Sequence, residues 1–119
     1  MYCLDTYALV EIHDGNKNYL KFLGEEFVIP YPSLAEFYYV MIKRFNEKTA
    51  NFWIEKLKLH SKPVSLSIWL EAVKFKHDHK KENLSFFDCV GYMFSLKSGY
   101  SFVTGDKAFV HKKGVKFIK

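Results

Sequence analysis

Only two cysteines occur in the 119 residues, Cys3 and Cys89, and they stand 86 positions apart with no Cys-x-x-Cys pair. A disulfide scaffold and a zinc knuckle are thereby excluded, and both thiols are expected to be reduced, behaving as small buried hydrophobes. Arginine is nearly missing, since of the 18 basic residues all but Arg44 are lysine. No apolar run approaches the roughly 18 residues of a membrane span. The N-terminal MYCLD also lacks the basic segment followed by an apolar stretch that marks a secretion signal. The expectation is a soluble, cytoplasmic protein with no membrane partner. Repeats, low-complexity tracts and Gly/Ser/Pro-rich linkers are absent too, so residues 1–119 are expected to form one domain, and 49% apolar residues are enough for its core.

The formal charge of +5 suits a polyanionic partner. Lysine is a point charge without the bidentate fork that reads a guanine edge, so this surface favours contact with a phosphate backbone over recognition of base sequence. Plain solubility accounts for the charge equally well.

The pattern of apolar residues predicts one alternating α/β domain. A short strand opens the chain at YCLD, followed by two short helices, or one interrupted near Gly15, ending at Gly24. EFVIP is a second strand, and a helix follows it with Ser33 as N-cap. TANFWIEKLKLH is a further helix. Pro63 to Leu66 is a candidate short strand before SIWLEAVKFKHDHK, where Trp69, Ala72, Val73 and Phe75 make a broad apolar face. Ser85 opens SFFDCVGYMFSLKSG, a helix apolar around most of its circumference and expected to be buried. A strand at Tyr100–Thr104, a short helix near Lys107–His111 and a last strand at Val115–Ile118 complete the chain. Alternation of this kind predicts a mostly parallel sheet with helices on both faces, and ligands of such folds bind at the carboxyl ends of the strands.

Two acids stand where that rule points: Asp5 ends the first strand, and Asp106 follows the fourth. Two more, Glu36 and Asp88, occupy first turns of helices. Successive spacings of 31, 52 and 18 residues mean that only folding can collect the four. Carboxylates brought that close repel one another unless a cation or protons intervene. An oxygen-only ligand set selects a hard ion, Mg²⁺ or Mn²⁺. Such an ion lowers the pKa of a bound water and neutralises charge on a phosphoryl group, which is hydrolytic nuclease chemistry. Other readings stay open: Ser33-x-x-Glu36 and Ser85-x-x-Asp88 match the capping box, and Asp5 and Asp106 suit turns.

YCLDTYALVEI, SLAEF and LSFFDCVGYMFSLKSGYSFVTGDKAF together resemble, in order and spacing, the PIN-domain nucleases and within them the VapC-like toxins of toxin–antitoxin pairs. The resemblance runs nearly the whole chain. It implies a three-layer domain with sheet order 3-2-1-4-5 and a Mg²⁺- or Mn²⁺-dependent endoribonuclease in which Asp5, Glu36, Asp88 and Asp106 surround the metal. Thr6 and Thr104 would support the ligands, the protein would form a homodimer, and an antitoxin protein would block its acidic site. Many members carry a further acid just after the fourth; here Lys107 and Ala108 stand there, leaving a second metal position open.

Five lysines and no acid follow Asp106, so Lys107, Lys112 and Lys113 are candidates for holding the RNA backbone, or simply a solvated face. His77, Asp78 and His79 make no credible metal site, because helical residues two apart point to different sides. Two alternatives to the toxin remain at this level: a non-catalytic PIN-like module that binds RNA or protein, and a housekeeping RNA-processing nuclease.

Overall fold

A computed structural model describes all 119 residues. Five strands, β1 (Tyr2–Leu4), β2 (Phe27–Pro30), β3 (Ser61–Lys62), β4 (Ser101–Thr104) and β5 (Val115–Phe117), form one sheet in the order β3-β2-β1-β4-β5. Every pairing is parallel. Between them lie helices α1 (Thr6–His13), α2 (Lys17–Leu20), α3 (Tyr31–Arg44), α4 (Glu47–Leu57), α5 (Leu66–Asp78) and α6 (Phe86–Ser98). The expected α/β architecture and strand order are therefore present.

Strand alternation divides the core. Leu4, Phe27, Ile29 and Val103 pack with α1, α3 and α4 on one face of the sheet, whereas Cys3, Val28 and Phe102 pack with α5 and α6 on the other. Right-handed crossovers explain the sorting: the chain steps from β1 outward to β3 along one face, then returns to β4 across the other. The reversal leaves a crevice between β1 and β4 at their carboxyl ends. Cys3 and Cys89 are both free and buried. No helix is long and apolar enough to cross a membrane.

Three local expectations need correction. Helix α3 begins at Tyr31 with Pro30 as its N-cap, and Ser33 lies buried inside the first turn. Proline suits the first helical positions because its missing N–H would have had no partner there, so Pro32 marks the start that Ser33 was expected to mark. Strand β3 is Ser61–Lys62, paired with Ile29 and Pro30, and not Pro63–Leu66; Pro63 has no N–H to extend a ladder. Val73 is half exposed and does not belong to the buried side of α5, which Ala72 occupies. By contrast α6 is buried continuously from Cys89 to Ser95, as its composition implied.

Candidate active site

Asp5 is held by the first turn of α1. It is the N-cap of that helix, and its Oδ1 accepts the Ala8 N–H at 2.8 Å, satisfying one of the helix's free donors. The same residue follows β1 directly, so the strand end and the helix start fix one carboxylate from two sides. It is only 2% exposed.

Asp106 is positioned in a similar way after β4. Its Oδ1 accepts the Ala108 N–H at 3.0 Å, and its own N–H donates to Thr104 Oγ1 at 3.1 Å. The fully buried Thr104 hydroxyl also lies against Asp5 and stabilises its ionised form, so one side chain ties both strand-end acids together. Gly105 between them has a steric reason to be glycine: an added Cβ would fall 2.2 Å from the Tyr7 ring and 2.7 Å from the Ile118 carbonyl oxygen.

The other two acids arrive on helices. Glu36 lies on α3, and the α3 backbone is stapled to α1 where Thr6 Oγ1 donates to the Ser33 carbonyl at 3.2 Å. Asp88 lies in the first turn of α6, capped by Ser85, whose hydroxyl accepts the Asp88 N–H at 3.2 Å. One turn on, Gly91 allows α6 to approach Ser33 of α3 and Phe102 of β4, since a Cβ there would meet Ser33 Oγ at 3.1 Å. Close helix packing of this kind brings Asp88 toward Glu36. The capping-box explanation thus fails for Glu36, because Ser33 caps nothing, and holds for Ser85 as the cap beneath Asp88.

All four acids line one open cleft of about 640 Å³, with Thr6, Tyr7, Tyr39, Val40, Gly105, Lys107 and Lys119 completing its wall. Burial, opposed by the Thr104 and Ala8 hydrogen bonds and reinforced by the charges of Asp88 and Asp106, pushes the Asp5 carboxyl up to about 8. Burial together with the charges of Glu36 and Asp106 pushes Asp88 up to about 7. No lysine, arginine or histidine forms an ion pair with any of the four. As the side chains stand, no three of them close on a single point.

Of the remaining candidates, Lys107 lines the cleft. Lys112 does not; it is paired with Glu82 at 2.7 Å and stands beside the Phe75 ring. Lys113 is also outside, on the turn where its carbonyl accepts the Tyr92 hydroxyl. Thr6 lines the cleft but gives its hydroxyl to the α3 backbone. Sequence reasoning passed over Lys119, Tyr7 and Tyr39. Tyr39 carried a usable signal, because it lies three residues after Glu36 on the same helix face.

The sequence matches the PIN-domain family model over residues 2–115, so the chain belongs to the PIN-domain family. No curated protein sequence matches it. Among solved structures it is similar to VapC20 of Mycobacterium tuberculosis, described as a toxin that cleaves the sarcin-ricin loop, with a TM-score of 0.83, 15% identity and 100% of both chains covered. A toxin–antitoxin complex from Klebsiella pneumoniae gives a TM-score of 0.75 at 16% identity, covering 98% of this chain and 96% of that one. VapBC-1 of nontypeable Haemophilus influenzae gives 0.74 at 17%, covering 99% and 96%. The fold is that of the VapC toxins.

Proposed function

We propose that this protein is a metal-dependent endoribonuclease that hydrolyses RNA phosphodiester bonds, and that it acts as a cytoplasmic VapC-like toxin restrained by an antitoxin. One observation carries the reading: four carboxylates from distant parts of the chain share a cleft at the β1/β4 crevice, and none of them is ion-paired to a lysine, arginine or histidine. Two of them, Asp5 and Asp88, are held far above the usual carboxylate range by burial and by the charges of neighbouring acids, Asp88 and Asp106 for the first and Glu36 and Asp106 for the second. A divalent cation relieves that repulsion.

The donor set fits a hard ion. Asp5, Glu36, Asp88 and Asp106 offer only carboxylate oxygens, which suits Mg²⁺ or Mn²⁺, and no cysteine or histidine lines the cleft. When bound, the ion supplies an activated water and neutralises charge on the phosphoryl oxygens. The protein's own contribution is positional. Backbone N–H groups orient Asp5 and Asp106, Thr104 links the two, and Lys107 and Lys119 on the rim attract the RNA backbone.

The similar structure described as a toxin–antitoxin complex supports a protein partner for this chain, and we extend the reading to a homodimer. Exposed Leu66, Leu70 and Val73 along α5 supply apolar surface for such contacts.

The test is incubation of purified protein with end-labelled structured RNA in Mg²⁺ or Mn²⁺, alongside a chelator control and the Asp5→Asn and Asp106→Asn variants. Discrete cuts abolished by the chelator and by either substitution are expected. Cleavage that survives both substitutions would sink the site. One observation favours a second reading, a non-catalytic binding module: the carboxylates do not close on one point as they stand. Retained RNA binding with no turnover in either metal would select it.

A further inference from the structure

Tyr39 combines two properties that buried packing does not explain. It lines the acidic cleft, yet 62% of it is exposed. An aromatic ring left open to water beside a phosphodiester-binding cleft is the feature that single strands use for base stacking. Its ring pairs with no other aromatic side chain, and Lys43 Nζ lies over it, 5.7 Å from the ring centroid. Glu36, Tyr39 and Lys43 follow one another at spacings of three and four, so α3 presents an acid, a ring and a cation along one face. Lys119 also lines the cleft, with its Nζ 5.5 Å from the Tyr7 ring. Tyr7 itself is fixed by its packing against Gly105. Asn18 and Tyr19 hold the backbone beneath Lys119, donating to the carbonyls of Lys119 and Ile118.

We propose that Tyr39 is a substrate-positioning residue, on whose ring a nucleobase next to the scissile phosphate stacks, while Lys43 and Lys119 contact the phosphates on either side. This rests on the nuclease reading and deepens it. Stacking tolerates any base, because every base presents a π-face, which agrees with a basic surface made of lysine and nearly devoid of arginine. Tyr39 does not touch the reacting atoms, so its loss weakens substrate binding and leaves the chemical step in place.

The experiment pairs two readouts. Steady-state cleavage in Mn²⁺ by Tyr39→Ala is expected to show KM raised about tenfold with kcat changed by less than about threefold, and Tyr39→Phe to restore KM, since the phenyl ring still stacks. Binding is then read without turnover, as anisotropy of a fluorescein-labelled unpaired oligoribonucleotide on Asp106→Asn protein. Adding Tyr39→Ala to that background is expected to weaken binding about tenfold, with Lys119→Gln weakening it less and flattening its salt dependence. Unchanged affinity in the Tyr39→Ala background, with a native circular dichroism spectrum, would overturn the proposal and leave Tyr39 to a protein contact. An inert wild-type enzyme whose RNA binding still depends on Tyr39 would defeat the nuclease reading and retain the stacking site.

Discussion

Two sets of carboxylates in this protein behave in opposite ways. On the surface, Asp14 lies beside His13 and Arg44, and Glu82 beside Lys112, and each is held below the usual carboxylate range by its hydrogen bond to that partner. In the cleft, Asp5 and Asp88 are raised by burial and by neighbouring acids, and neither is ion-paired. Lys107 and Lys119 line the same cleft, yet neither forms an ion pair with any of its four acids. Surface pairs of the first kind contribute little to stability. The cleft leaves its acids unpaired at a cost to the fold, and the proposed divalent ion would offset that cost.

Neutralising one acid from each set separates the two kinds of carboxylate. Asp106→Asn or Asp5→Asn is expected to lower RNA cleavage on the order of 100-fold or more, because each removes a proposed ligand. Asp14→Asn is expected to leave the rate within a factor of about two. Equal losses from both sets, measured in one assay, would contradict the distinction.

Thermal unfolding also distinguishes the two sets. A carboxyl whose pKa is higher in the folded than in the unfolded state makes the folded state bind more protons, so stability falls as pH rises between the two values. For Asp5 that window runs from 3.8 to about 8, and for Asp88 from 3.8 to about 7. Metal-free protein should therefore lose Tm between pH 5 and pH 8. The surface acids act with the opposite sign, but only as pH falls through the ordinary carboxylate range. Saturating Mn²⁺ should raise Tm by several degrees, corresponding to roughly 2–3 kcal/mol at a hundredfold excess over Kd. The gain should be larger at pH 8 than at pH 5, where protons compete with the metal.

A smaller effect is expected at Thr104. Thr104→Val keeps the buried volume but removes the hydroxyl that accepts the Asp106 N–H and supports Asp5. Cleavage should fall about tenfold, with about 1 kcal/mol lost in denaturant unfolding. Smallest of all is Lys112→Ala, which breaks the pair with Glu82 outside the cleft; its rate and RNA affinity should match the wild type within about twofold. A clear loss of RNA affinity would restore Lys112 as a backbone contact.

Much of this architecture could be read from residues. The apolar strands and the helical spacings between them carry the alternation of β and α, and Asp5 and Asp106 stand at strand ends by position alone. Glu36 and Asp88 were legible as members of a set, although what brings them together, the contact of Gly91 with Ser33, is long-range and has no local signature. The errors have similar causes. A two-residue edge strand such as β3 is too short to show a period. Ser33 has the side chain of a cap, and the Pro30–Pro32 pair decided the helix start instead. The tail lysines are chemically alike, and only the return of the chain through β5 separates Lys119, in the cleft, from Lys112 and Lys113 outside it.

The cleft acids are without ion-pair partners and are proposed to take a divalent cation. Titration calorimetry of Mn²⁺ into chelator-treated protein tests it directly. Saturable binding, abolished or weakened at least about tenfold by Asp5→Asn and unaffected by Asp14→Asn, is the expected result. Absence of binding to the wild type, or equal binding by wild type and Asp5→Asn, would contradict the account.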